Sequence, residues 1–189
     1  MVDARILNTA AALNAAVVSL ASATPISQLT VADVTRAAEI NRATFYSHYT
    51  SPSALLAHVL STDLETIRAA DNAERTTASR EPAQITRQSV LDSVRHVNHF
   101  RDIYRLALTD ASDGTTHHVL AAQFYGSCLT HLRDSVSPER IPGDIELVAA
   151  YVANGLVGTI EAAVASDHWD ENQLADLLMA MLPPWWDAS

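Results

Sequence analysis

Residues 29 to 52 read LTVADVTRAAEINRATFYSHYTSP, and this stretch decides the fold. Thr30-Val31-Ala32-Asp33 has the form of a capping box: the Thr30 hydroxyl can accept from the backbone N–H three residues on, and Asp33 can reach back. A helix starts there, with Val31, Val34 and Ala38 on its apolar side. Ile40 supplies an apolar plug in the turn, and Asn41 is placed to cap a second short helix. In that helix Phe45 and Tyr49 lie four residues apart and point inward together, leaving Arg42, Ala43, Thr44, Tyr46 and Ser47 toward other faces. Ser51 then caps a further helix with Pro52 at its first position, where a missing N–H costs nothing. Two short helices joined by a tight turn form a compact helix-turn-helix.

The exposed set suits a major groove. Arg42 can donate two hydrogen bonds to a guanine edge, and the methyls of Ala43 and Thr44 can meet thymine methyls. Tyr46 and His48 can reach phosphates or base edges.

Outward from this unit the periodicity stays helical, and all five glycines lie after residue 113, so no Asn-Gly or Asp-Gly hairpin signal separates alternating strands. The chain reads as all-α. Its Ala-rich start looks like a signal peptide, but Asp3 sits beside Arg5, and Asn8, Thr9 and Asn14 confine the apolar residues Ile6, Ala10, Leu13, Val17 and Leu20 to one stripe. That is an amphipathic first helix. The pattern predicts a helix-turn-helix domain over 1–50, a connecting helix over 51–71, a polar linker over 72–83 and a larger helical domain over 84–189. Within the last, helices are expected near 84–110, 115–136, 143–166 and 170–182, with Pro183-Pro184 ending the final one.

Charge argues against a broad electrostatic grip on nucleic acid. The 12 basic residues are all Arg, set against 22 acids for a net charge of −10. Residues 1 to 70 account for only −1 of this, so DNA affinity has to come from placed contacts, helix N-termini and two-fold avidity. Cys128 is the only cysteine, which rules out an intramolecular disulfide and fits a reducing cytoplasm. No run of about 20 uninterrupted apolar residues occurs, since the best candidate, 149–165, contains Asn154 and Glu161, so no membrane span is expected. His-Glu-x-x-His, nucleophile-elbow and phosphate-loop motifs are missing, so neither an enzyme nor a cofactor is expected.

Across roughly the first 65 residues the sequence resembles the tetracycline-repressor (TetR) family of transcriptional regulators. The resemblance rests on Ile6-Leu7-Asn8-Thr9-Ala10-Ala11, on Leu29-Thr30-Val31-Ala32-Asp33-Val34, and above all on Thr44-Phe45-Tyr46-Ser47-His48-Tyr49 after the capped turn. It implies that Arg42, Ala43, Thr44 and Tyr46 face bases and that Thr30, Ser47, His48 and Thr50 lie near phosphates. It also implies a homodimer on a pseudo-palindromic, double-stranded operator, assembled through residues 115–136 and 143–166, and a small-molecule effector bound in the larger part that ends repression. Two positions depart from the family pattern: Glu39 stands where Gly is usual, costing about 1 kcal/mol if its φ is positive, and Pro52 replaces a Lys, removing one phosphate contact.

In the larger part, Gly126, Gly155 and Gly158 sit inside helical stretches, at about 1 kcal/mol each relative to Ala. Close helix contact would compensate, either with a second subunit or within the chain. Phe100, Tyr104, Phe124, Tyr125 and Trp169 are the candidates for an effector cavity, and Trp185 and Trp186 are expected to fold back onto the domain or onto a partner. Asp92, His96 and His99 share one sector of a helix and His117-His118 opens another, so a metal site can be drawn. That sector lies opposite the stripe Val90, Val94, Val97, Tyr104 and Leu108, so it reads as a solvated polar face and no metal site is expected. The rival readings are a helical metal-binding protein or enzyme with a vestigial helix-turn-helix, and a DNA-associated protein that answers to no effector.

Overall fold

The computed structural model describes residues 4–77, 80–110, 112–166 and 169–186, with side chains from Asn8 onward. Every regular element among them is helical: α1 Ala4–Ala21, α2 Val31–Ala37, α3 Arg42–Tyr46, α4 Pro52–Thr77, α5 Pro82–His99, α6 Arg101–Leu108, α7 Thr115–Ser135, α8 Ile145–Ala165 and α9 Glu171–Ala180. The all-α expectation holds. Ile6, part of the predicted stripe of α1, lies outside the described side chains; Leu13 and Val17 of the same stripe are fully buried.

The chain divides into two compact units. One takes in residues 1–62 and 100–116, the other 63–99 and 117–189. In the first, α1 packs on α2 and on α6, and α2 packs on α3. Leu13, Val17, Val34, Phe45, Leu55 and Leu60 form its core, each with essentially no exposed surface. Side-chain burial of this kind contributes about 1.5 to 3 kcal/mol per residue, and it holds helices as short as α2 and α3 that would not persist alone.

In the second unit α5 packs along α9, and α8 packs on α9. Arg87 joins α5 to α9 through Asp176 at 2.7 Å, and Asn98 does so through Glu171 at 2.7 Å. Asp144 and Asp170 cap α8 and α9, each carboxylate accepting two backbone N–H groups. Cys128 is buried, and burial pushes its thiol up to about 12.

Three local expectations change. The polar stretch 72–77 is helical, because α4 runs on to Thr77. Asp71 and Arg75 pair one turn apart at 2.8 Å, and the hydroxyls of Thr76 and Thr77 donate to carbonyls a turn back, so a polar surface is compatible with helix here. The helix expected over 84–110 breaks at Phe100, whose φ of −101° and ψ of 26° interrupt the ladder between α5 and α6. Val90, Val94 and Val97 accordingly belong to the second unit while Ile103 and Tyr104 are core residues of the first, and Leu108 is 41% exposed. Finally, α5 is enclosed on more than one side, which buries His96 inside the sector read as solvated. Its Nδ1 lies 2.5 Å from the Asp63 carboxylate, and burial nevertheless lowers its pKa below the usual 6.5.

Candidate nucleic-acid interface

The capping box at Thr30 forms as the residues require. Asp33 N–H donates to the Thr30 hydroxyl at 3.2 Å, and Thr30 N–H donates to the Asp33 carboxylate at 3.1 Å. The Thr30 hydroxyl also donates to that carboxylate, which holds Asp33 below the usual carboxylate range. The N-terminus of α2 is therefore fixed, with Thr30 exposed on it.

The turn out of α2 satisfies its last carbonyls in the Schellman manner: Ile40 N–H donates to Thr35 C=O at 3.0 Å, and Glu39 N–H to Arg36 C=O at 3.3 Å. Such a turn needs one residue in the left-handed region, and Glu39 occupies it at φ 55°. A Cβ there is strained, so Glu39→Gly should stabilise the fold by about 1 kcal/mol. Chemical denaturation measures this, with Glu39→Ala as the control that removes the charge and keeps the Cβ. Equal midpoints for the Gly and Ala variants would show that the backbone carries no strain.

Asn41 opens α3. Its side-chain carbonyl accepts from Thr44 N–H at 2.8 Å and from the Thr44 hydroxyl at 3.0 Å. Thr44, half-buried, thus commits its donor to the cap and has its methyl left for apolar contact. Phe45 is fully buried, with the rings of Tyr46 and Tyr49 at 5.7 and 6.2 Å from its own, and Tyr49 rests on His58 at 5.6 Å. This anchor turns the other side of α3 outward: Arg42, Ala43, Ser47 and His48 are exposed, and Tyr46 is 60% exposed. Ser47 spends its hydroxyl proton on Thr44 C=O at 2.7 Å. Thr50 is exposed, and beyond it the Ser51 hydroxyl accepts from Ala54 N–H at 3.1 Å to cap α4, with Pro52 buried at the first position.

Seven of the eight residues read as DNA-facing are thus exposed and grouped on α2, α3 and the turn after α3, with Thr44 half-buried beside them. This arrangement is a helix-turn-helix with its second helix presented to solvent. The whole chain has the fold of TetR-family regulators. It is similar to the fatty acid degradation regulator FadR from Bacillus halodurans, at 14% identity over 92% of this chain and 93% of that one, with a TM-score of 0.64. It is also similar to the dihydroxyacetone kinase operon activator DhaS, at 16% identity over 91% and 94% of the two chains, with a TM-score of 0.59. The TetR family repressor AlkX from Dietzia is matched at 16% identity over 93% of each chain, with a TM-score of 0.53. No protein-family description matches the sequence, and no curated protein is similar to it in sequence.

The five aromatic residues read as an effector cavity are divided between the two units. Phe100 and Tyr104 belong to the first unit, and Phe124, Tyr125 and Trp169 to the second. Phe124 lines a cavity of the second unit, while Trp169 edges a different, open groove beside α8 and α9. Asp71, Arg75, Ser127, His131 and Trp186 line the same cavity as Phe124 and were not among those candidates. One signal was legible: Asp71 and Arg75 stand four residues apart, a spacing that pairs charges on a helix.

The metal-like sector is also dispersed. Asp92 takes Gln88 at 2.9 Å and Arg95 at 3.1 Å, His96 turns to Asp63, and His117 pairs with Glu161 at 2.9 Å. Among the described residues no three His, Cys, Asp or Glu side chains converge on a point.

Proposed function

We propose that this chain is a cytoplasmic DNA-binding transcriptional regulator that grips a pseudo-palindromic operator as a homodimer and releases it when a small molecule binds the larger unit. The observation that carries the reading is α3, held at its start by Asn41, anchored by Phe45, and bearing Arg42, Ala43 and Tyr46 in solvent. Arg42 is the reader of base identity and Thr30, Ser47, His48 and Thr50 position the phosphates.

Selection of bound duplexes from a random pool at near-physiological salt tests this directly. An inverted repeat should be enriched, and Arg42→Ala should lose roughly 1 to 3 kcal/mol of preference at one position of each half-site. Enrichment of the same site with unchanged preference would remove Arg42 from the reading role, and no enrichment even at low salt would overturn the regulator reading.

The homodimer rests on α8. This helix is apolar and long enough to cross a membrane, with 39% of its most apolar window buried. Ala149, Val152, Leu156, Val157, Ile160 and Val164 face the core. The opposite face carries Leu147 at 72% exposure and Tyr151 at 81%, followed by Gly155, Gly158 and Ala162. A Cβ on Gly155 or Gly158 would meet nothing within 4 Å, whereas one on Gly126 would press on the Arg68 guanidinium at 3.0 Å. Gly126 thus has a close neighbour within the chain. Gly155 and Gly158 do not, and a second α8 crossing at that flat stretch supplies the missing contact. In α7 Ala122 is exposed while Leu120, Phe124 and Leu132 are buried, so α7 contributes less to this face than α8.

A further inference from the structure

The charges of the helix-turn-helix cancel. From Thr30 to Ser51 the arginines are Arg36 and Arg42 and the acids are Asp33 and Glu39, in a chain whose net charge is −10. Attraction to DNA grows with the number of phosphates that cations neutralise, so each arginine of such a unit counts. Arg42 opens α3 and is the proposed reader of bases. Arg36 has no part in that reading.

It is the only basic residue of α2. Val34 and Thr35 turn inward there, while Arg36 and Ala37 are exposed. When a helix-turn-helix docks, its second helix enters the major groove and its first crosses the sugar-phosphate backbone. A guanidinium on the outer side of α2 is therefore placed for phosphate. Its side chain leans back along the helix, as helical side chains do, and Nη1 stands 3.3 Å from Asp33 Oδ1. The other Asp33 oxygen accepts from the Thr30 backbone N–H and hydroxyl. Only the Asp33 carboxylate thus separates the guanidinium from Thr30, one of the residues proposed to position a phosphate.

The two members of this ion pair differ in freedom. Asp33 is held by its cap, whereas the Arg36 side chain is 76% exposed and has no other bond. A solvated pair of this kind contributes little to stability, so Arg36 can leave it at small cost.

We propose that Arg36 is a further DNA contact, exchanging Asp33 for a backbone phosphate on binding, and that Asp33, as the competing anion, limits how tightly DNA of any sequence is held. The assignment rests on the regulator reading above and adds to it a contact that strengthens binding without reading bases.

Two fluorescent duplexes of one length serve as probes, the selected inverted repeat and a scrambled sequence of the same composition. Each is titrated with full-length protein by anisotropy at several salt concentrations. In Arg36→Gln the slope of log affinity against log salt should flatten by about one for each protomer bound, with affinity lowered roughly tenfold per lost contact near 0.1 M salt, on both duplexes alike. Arg36→Lys, which keeps the charge, should keep the slope. Asp33→Asn, whose side-chain carbonyl can still cap α2, should tighten both complexes, and should do so less when Arg36 is already Gln. Thermal unfolding should give Arg36→Gln an unchanged midpoint. An unchanged slope in Arg36→Gln, a loss confined to the inverted repeat, or an equal loss in Arg36→Lys overturns the contact; weaker binding by a fully folded Asp33→Asn overturns the competition. Wild-type protein that binds neither duplex, even at low salt, removes the regulator reading and this contact with it. Binding by the wild type with no slope change in Arg36→Gln removes the contact alone.

Discussion

Tyr151→Glu should convert the proposed homodimer to a monomer and lower affinity for the proposed operator by about 10² to 10⁴, the avidity lost when two linked reading heads become independent. Tyr151 is 81% exposed in the single chain, so the substitution breaks no intrachain packing and should leave folding stability within about 0.5 kcal/mol. Placed on a two-fold contact it sets two carboxylates against each other in an apolar setting, a costly arrangement on both counts. Sedimentation velocity of the wild-type and variant proteins reads the assembly state, and duplex binding reads the affinity. Leu147→Glu, one turn earlier on the same face and 72% exposed, should act alike. A dimer that survives both substitutions would move the interface away from α8.

Phe45→Ala should destabilise the first unit by about 3 to 5 kcal/mol. The Phe45 ring has no exposed surface and holds the rings of Tyr46 and Tyr49 around it, so its removal leaves a void beneath a helix of five residues. A helix that short has no stability of its own, and the loss should appear as an early transition in thermal unfolding together with loss of operator binding. A cost below about 1 kcal/mol would show that α3 is held by its caps and not by its anchor.

The recognition unit was legible in the sequence because its determinants are local. Thr30 and Asp33 form one reciprocal cap, Asn41 and Thr44 form another, and Phe45 and Tyr49 share a face, all within two helical turns of their partners. Even the cost at Glu39 was readable, since it depends on the backbone of one residue and the φ of 55° realises it. The cavity was not legible, because Asp71, Phe124, His131 and Trp186 meet only once α4, α7 and the segment after α9 have packed. A helix break at Phe100 also separates residues that a continuous period would place together, and nothing in the side chains around it marks the stop. His96 was misplaced for a related reason: periodicity identifies the most apolar face of a helix, whereas α5 is enclosed on a second side by elements distant in sequence.

Cys128 carries a practical consequence for spectroscopy. With its thiol buried and pushed up to about 12, Cys128 is a poor nucleophile and should react slowly with maleimide dyes and nitroxide reagents. A cysteine introduced at an exposed site such as Ala122 would therefore be the sole reactive handle, with the native one left in place. Paired labels across the proposed two-fold assembly then report a single distance per site.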